Sequence, residues 1–452
     1  MSKPNSPDAR LHRRSFLSSV PLTTLLGASL AGEAAGADLT DHAYDFDTPY
    51  SRIGTNSVKW DRPIRLYGRD HVVAGMGIAD MDFRAAPCIT EALKQRMQHE
   101  NWGYLDTPGA LIDAVVGWNK RRYGITIKPD LLLLSNGVHP GIIAALKAFS
   151  PPGSKVLMMT PIYDGFYGDL RYCECTPEEI PMKLANGRYA MDFEALERRI
   201  SDQTNTLILC NPQNPTGNCW SREDLTTLGE ICTRRRVVVL ADEIHCDFVT
   251  AGQKYTPYAS LENKEIVRNS ITFKAASKSF SLAAMKTAWL FSENPDYIAR
   301  VRIRNHPDTN TLGVIANQAA LTQGEEWLDK LLPYIDANHN YVESFVRERI
   351  PLIQCVKPQG TYLCWLDVSQ VGERIGAAQL ASEATRQAGP NAKPVTPEMI
   401  LQRWFVEHAK VELNAGSNYG LGGAGHMRMN IATSRKTLAL ALNNLSEAVR
   451  AL

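Results

Sequence analysis

Charge of one sign is missing from this 452-residue chain: 49 lysines and arginines stand against 48 aspartates and glutamates, a formal net charge of +1. No basic run with interleaved aromatics occurs, so the electrostatic footprint of a nucleic-acid binder is absent and small-molecule chemistry is the better expectation. Paired cysteines are missing too. Nine are scattered between Cys88 and Cys364, with no C-x-x-C and only Cys173 and Cys175 close together. An odd, scattered set is neither a disulfide framework nor a zinc pattern, and it suits a protein that folds in a reducing compartment. Long apolar runs are also lacking. The stretch LSSVPLTTLLGASLA near the N-terminus is interrupted by Pro21 and Gly27 and falls short of a membrane span, so no stable membrane anchor is expected.

What is present begins with a leader. Arg10, Arg13 and Arg14 precede Ser-Phe-Leu, the mildly apolar stretch follows, and Ala35-Gly36-Ala37 supplies a small-residue cleavage site. The Arg-Arg-x-Phe-Leu order resembles a twin-arginine export signal over residues 1–37, read by a translocase that carries folded proteins. That resemblance implies a periplasmic location and the translocase as a transient partner. A disordered basic tail ahead of an ordinary helix is the plain alternative.

From about residue 86 to 320, short apolar runs alternate with helical stretches. LLLLSNGV, KVLMMTPIY, TLILCNPQNPTG, VVVLADEIH and SITFKAASKSF read as buried strands with polar or Gly/Pro chemistry at their C-terminal ends. Between them, SREDLTTLGEICTRRR opens on a Ser cap and carries a surface helix's charges. This alternation predicts an α/β domain around a mostly parallel sheet, with ligands beyond the strand C-termini. After residue 320 the texture changes to a long amphipathic helix (EEWLDKLLPYIDANHNYVESFVRERI), two strands (GTYLCWLDV, HMRMNIAT) and a closing helix from Ser434. That predicts a smaller α+β domain over 321–452, joined by the segment 38–85.

Four stretches concentrate chemistry. SNGVHPG (135–141) ends a strand, turns at Gly137 and opens a helix, which brings free amides and a positive helix end together; alone it marks no more than a turn. NPQNPTG (211–217) holds a side-chain amide at a strand end between two prolines. Asp242 closes a continuous apolar strand, a costly place for a carboxylate unless a cation, a donor or a helix cap meets it. Lys278, in ASKSF, is an amine among small residues with no acid beside it in sequence.

In that order, about 30 and 36 residues apart, NPQNPTG, ADEIH and ASKSF resemble the pyridoxal-phosphate enzymes of the class I/II aminotransferase superfamily, over essentially the whole chain after residue 37. RIGTNSVKWD, IADMDF and GTYLCWLD look more particularly like its cystathionine β-lyase, or carbon–sulfur lyase, branch. The resemblance implies the fold-type I architecture: a large domain with a mostly parallel central sheet plus a smaller α+β domain. It implies pyridoxal 5'-phosphate as cofactor and no metal. Lys278 is then the Schiff-base lysine and the acid/base at Cα, an amine whose pKa an apolar, cation-rich pocket lowers toward the neutral form. Gly137, Val138, Ser277 and Lys286 would serve the phosphate, Asp242 the pyridine nitrogen, Asn214 the ring 3-oxygen and Tyr163 the ring face, with His245 three positions after the aspartate. Tyr104 matches a tyrosine that reaches the neighbouring subunit's phosphate, which implies a homodimer with shared active sites. Arg428 would grip the substrate α-carboxylate; a strand-edge ion pair is its plain alternative.

Some positions depart from the family pattern. Ala275 stands where many aminotransferases have a phosphate-binding serine, Ser281 replaces an expected asparagine, and SNGVHPG differs from the usual phosphate turn. Transamination and β-elimination need the same Lys278, Asp242 and Arg428. Because cystathionine is cytosolic, an exported enzyme favours transamination of an amino-acid moiety on a periplasmic metabolite such as a siderophore precursor. Elimination by a carbon–sulfur lyase is the alternative, and a non-catalytic cofactor-binding sensor a third.

Overall fold

The computed structural model describes residues 44–185 and 187–452, which fall within one compact unit. The leader of residues 1–37 lies outside the described residues. A seven-stranded sheet is built from β1 (Leu132–Ser135), β2 (Lys155–Thr160), β3 (Thr176–Pro181), β4 (Thr204–Cys210), β5 (Val238–Asp242), β6 (Ser270–Lys274) and β7 (Ala288–Phe291), in the spatial order β1-β7-β6-β5-β4-β2-β3. The run from β6 to β3 is parallel throughout. β7 alone is antiparallel to both its neighbours, setting Trp289 opposite Leu134 and Lys274.

The parallel strands are apolar on both faces because helices cover both. Met158, Ile208 and Leu240 are completely buried in one apolar cluster, and Leu157, Leu207 and Val239 in the cluster on the other face. Each such side chain contributes roughly 1.5–3 kcal/mol relative to exposure. α1 (Val138–Phe149) follows β1, α2 (Gly165–Tyr172) follows β2, and α3 (Arg222–Arg234) follows β4. Ser221 caps α3 as expected: its hydroxyl accepts from the Asp224 amide at 3.0 Å, and the Asp224 carboxylate accepts from the Ser221 amide at 3.1 Å.

A second sheet is four-stranded and antiparallel: β8 (Gln354–Cys355), β9 (Leu363–Asp367), β10 (Asn414–Ala415) and β11 (His426–Asn430), ordered β8-β9-β11-β10. The expected long helix spans Glu325–Arg349 with Pro333 inside it, and the closing helix runs Arg435–Arg450 from its Ser434 cap. Buried Asn338 on the long helix donates to the carbonyls of Ile431 and Thr433, both at 3.0 Å, and so ties down the chain leaving β11. Among the described residues no helix is long and apolar enough to cross a membrane.

The N-terminal segment crosses the molecule before the large sheet begins. Ala74–Gly75 pairs in parallel with Val411–Glu412, and residues 77–80 continue as a strap. Asn430 donates to the carbonyls of Ile78 and Asp80 at 2.6 Å, and fully buried Lys59 donates to the Asp80 carbonyl at 3.0 Å and pairs with Asp82 at 2.7 Å. These bonds occupy backbone acceptors that burial would otherwise leave unpaired. They also fix where the strap's remaining carbonyls point.

Candidate active site

The C-terminal ends of β1, β5 and β6 open onto a cavity of about 510 Å³ whose lining includes Gly137, Val138, His139, Tyr163, Asn214, Asp242, His245, Ser277, Lys278 and Lys286. Nine residues expected from the sequence thus share one space, although the chain separates them by up to 149 positions. The topology explains the convergence: parallel strands all finish at one edge, so the residue after each strand faces the same crevice.

Lys278 lies in the turn after β6, where its ammonium donates to the Ala79 carbonyl of the strap at 2.8 Å. Removal from water, which disfavours the charged form, dominates its titration and is reinforced by the Arg428 cation; Asp80 and Asp242 act the other way, and the pKa falls to about 8. Asp242, at the end of β5, is 4% exposed. Burial pushes its carboxyl up to about 6, against the opposing pull of the Ile244 amide, which donates to it at 3.0 Å, and of His139 and Lys278. His245 is buried, its ring pushed well below the usual imidazole range first by desolvation and then by Lys278 and Arg428, and its Nδ1 has no hydrogen-bond partner. It is a neutral histidine at physiological pH.

Arg428 sits on β11, 2% exposed, and donates from Nη1 to the Asn214 side-chain oxygen at 3.0 Å and from Nη2 to the Gly77 carbonyl at 2.6 Å. Its Nε is buried without a partner, and no described carboxylate forms an ion pair with it. The ion pair weighed as its plain alternative is therefore not formed among the described residues. Because Asn214 spends its oxygen on the guanidinium, the amide nitrogen is left as its donor toward the cavity. Tyr163 lines the same wall, and burial raises its phenol well above the ordinary tyrosine value.

Val138 and His139 are the first residues of α1, so their amides have no intrahelical acceptor and, with Gly137 at the cap, present donors and the positive helix end to the cavity. Lys286 and Ser277 stand on the same lining. Tyr104 is different: it is fully exposed, beside Asn101, Gly103 and Asp106, and the structure does not bring it to the cavity of its own chain. Sequence reasoning missed His139 as a site residue, although SNGVHPG was marked as unusual. It also missed Asp169, which reads as an ordinary helix acid in FYGDLRY, and the strap carbonyls of Gly77 and Ala79, which no side-chain pattern could announce.

The model of the aminotransferase class I and II family matches residues 72–445. The chain belongs to this family. This class I/II protein is 38% identical over 412 residues to the cystathionine beta-lyase PatB of Bacillus subtilis, covering 90% of this chain and all of that one. An aspartate aminotransferase of Pyrococcus horikoshii is 25% identical, over 83% of this chain and 90% of that one. Among solved structures, cystalysin from Treponema denticola, which contains a pyridoxal 5'-phosphate cofactor, superposes with a TM-score of 0.80 at 27% identity, over 90% of this chain and 99% of that one. The fold is that of the fold-type I pyridoxal-phosphate enzymes, and the protein is pyridoxal-phosphate dependent. This chain's own residues fit that group: helix-end donors for a phosphate, a desolvated acid at the foot of the cavity, an amine of lowered pKa, and an orphaned donor on Arg428 for an anion.

The lowered pKa has a measurable consequence. Neutral amine is the reactive form, and its fraction grows tenfold per pH unit below the pKa and saturates above it. Cofactor-free protein is expected to take up pyridoxal phosphate at a rate that rises with pH and levels off near 8, not near the ordinary lysine value of 10.5. Stopped-flow absorbance from pH 6 to 11 reads this; a rate still climbing at pH 10 contradicts the environment described for Lys278.

Proposed function

We propose that this protein is a carbon–sulfur β-lyase acting on an amino acid that carries a sulfur substituent at Cβ. The observation that carries the reading is the near full-length 38% identity to a cystathionine beta-lyase, against 25% to an aspartate aminotransferase. This reverses the order expected from the sequence, in which the export-like leader placed transamination first. Location is a weak guide to reaction type, because a leader says where a catalyst works and not which bond it breaks.

The side chains take roles consistent with this chemistry. Arg428 meets the substrate α-carboxylate, for which its planar fork and unpartnered Nε are suited. Asp242 holds negative charge at the cofactor's ring nitrogen, and Asn214 donates beside it. The bound cofactor supplies an electron sink for charge developing at Cα. Lys278, as the neutral amine, takes the Cα proton; the Cβ–S bond then breaks with its electron pair on sulfur, which leaves as the thiol, and the remaining three-carbon enamine takes up one water to give pyruvate and ammonia. The periplasmic location, the twin-arginine translocase and a homodimer completed by Tyr104 belong to the same proposal and rest on the leader and the family resemblance.

Purified holoenzyme incubated with cystathionine or an S-alkyl cysteine is expected to release pyruvate and thiol in equal amounts. Amino transfer to keto acids without thiol release from any β-substituted cysteine would restore the aminotransferase reading.

A further inference from the structure

One group on the cavity wall has no place in the chemistry above. His139, in the first turn of α1, turns its Nδ1 to buried Asp169 on α2, which accepts at 2.7 Å, and its Nε2 to the Tyr163 hydroxyl at 3.3 Å. The two rings lie 5.4 Å apart at 44°. Space for this arrangement is made by Gly165: a Cβ there would stand 2.5 Å from His139 Cε1 and 2.6 Å from Tyr163 Cε1. Any other residue would push the pair apart.

The electrostatics run against a merely structural histidine. A helix N-terminus disfavours a cation, and burial opposes charge on this ring; Asp169 and, more weakly, Asp242 outweigh both that and the Lys278 cation, so that the imidazole pKa is raised above 6.5. These four groups, Asp169, Asp242, Lys278 and Tyr163, are the titratable neighbours that face it. Asp169 is 4% exposed and its own carboxyl is pushed up by burial against the pull of His139, whose side chain is 40% exposed, so one partner of the contact is buried and the other open.

We propose that His139, oriented by Asp169, is the proton reserve for the departing sulfur, acting through the Tyr163 hydroxyl. This rests on the β-lyase reading and deepens it. As the Cβ–S bond breaks and its electron pair passes to sulfur, Tyr163 gives its hydroxyl proton to the thiolate and takes the Nε2 proton of His139. The imidazole is left neutral with its Nδ1–H on Asp169. Lys278, occupied with the Cα proton, does not have to serve both ends of the elimination. His139 is in this sense a positioning residue: it sets the protonation of Tyr163, which meets the leaving group.

The dependence on leaving group tests this. Thiolates of alkyl thiols are basic and need a proton to leave; nitroaryl thiolates do not. His139→Gln holoenzyme is expected to lose roughly 100-fold in kcat/KM on S-ethyl cysteine, yet less than about fivefold on S-(2,4-dinitrophenyl)cysteine, where no acid is needed. Tyr163→Phe, which keeps the aromatic face and lacks only the hydroxyl, should likewise lose more on the alkyl than on the nitroaryl substrate. In the wild type, activity on the alkyl substrate should fall as pH rises through the raised imidazole pKa, while the nitroaryl substrate shows no such limb. A readout apart from turnover is the ring ¹⁵N titration of His139 in the holoenzyme, whose midpoint should drop in Asp169→Asn. Equal losses on both substrates, or an unmoved midpoint in Asp169→Asn, overturn the inference while the lyase reading stands. A wild type that releases thiol from neither substrate overturns both.

Discussion

Lys278→Arg protein is expected to fold, and to lose turnover by roughly 10³-fold or more. The substitution keeps a cation of similar reach, so the hydrogen bond to the Ala79 carbonyl and the charge seen by Asp80 and Asp242 can persist. What it removes is the ability to exist as a neutral base, because a guanidinium does not deprotonate in a protein. The described amine reaches neutrality near pH 8 only because the cavity withholds water from its charged form. Two measurements separate chemistry from folding: thermal denaturation, expected within a few degrees of wild type, and borohydride reduction followed by peptide mapping, expected to label residue 278 in the wild type alone. Activity within tenfold of wild type in the arginine variant removes Lys278 from the mechanism.

Asp242→Asn should move activity and stability in opposite directions. An ion pair at contact distance is worth about 4 kcal/mol at an effective dielectric near 20, so loss of the anion should lower turnover by roughly 10²- to 10³-fold at saturating cofactor. In the cofactor-free fold the same carboxylate is a liability. Its folded pKa, about 6, lies above the unfolded value of 3.8, so the native state holds the proton more tightly and pays for ionisation as pH rises from 4 to 6. Above pH 6 that cost is fully present, at most about 3 kcal/mol. Asparagine keeps the acceptor for the Ile244 amide and avoids the charge. Cofactor-free Asp242→Asn is therefore expected to melt higher than wild type at pH 7.5 and equally at pH 4. A lower melting temperature at pH 7.5 contradicts the desolvated environment, whatever the activity shows.

Much of the large sheet was legible because its strands are buried on both faces and so read as unbroken apolar runs. KVLMM, TLILC and VVVLAD each became a strand with its polar residues at the crevice. β7 was harder. AWLF is short, its neighbours in space come from residues 132–135 and 272–274, and no local pattern states that it inserts antiparallel between two strands distant in sequence. Thr176–Pro181, carrying two prolines and two glutamates, was likewise silent because an edge strand pairs on one side only and here sends just Ile180 into an apolar cluster. The same division holds within the site. Lys278, Asp242 and Asn214 stand out because an amine, an acid and an amide at the ends of apolar strands are chemically expensive there. His139 and Asp169 do not, since each alone is an unremarkable residue on an amphipathic helix.

The amino-acid order alone determined the family-defining set: which strand ends carry an amine, an acid and an amide, and hence which cofactor they suit. It could do so because burial cost and turn chemistry are local properties, readable wherever an ionisable group interrupts an apolar run. Only the folded chain decided who meets whom. The strap carbonyls on Lys278 and Arg428, the proton-bearing contact between two helices at His139 and Asp169, and the position of Tyr104 outside its own cavity depend on pairings across 30 to 351 residues. Such pairings arise from packing many weak contacts at once, and no single stretch of sequence holds that sum.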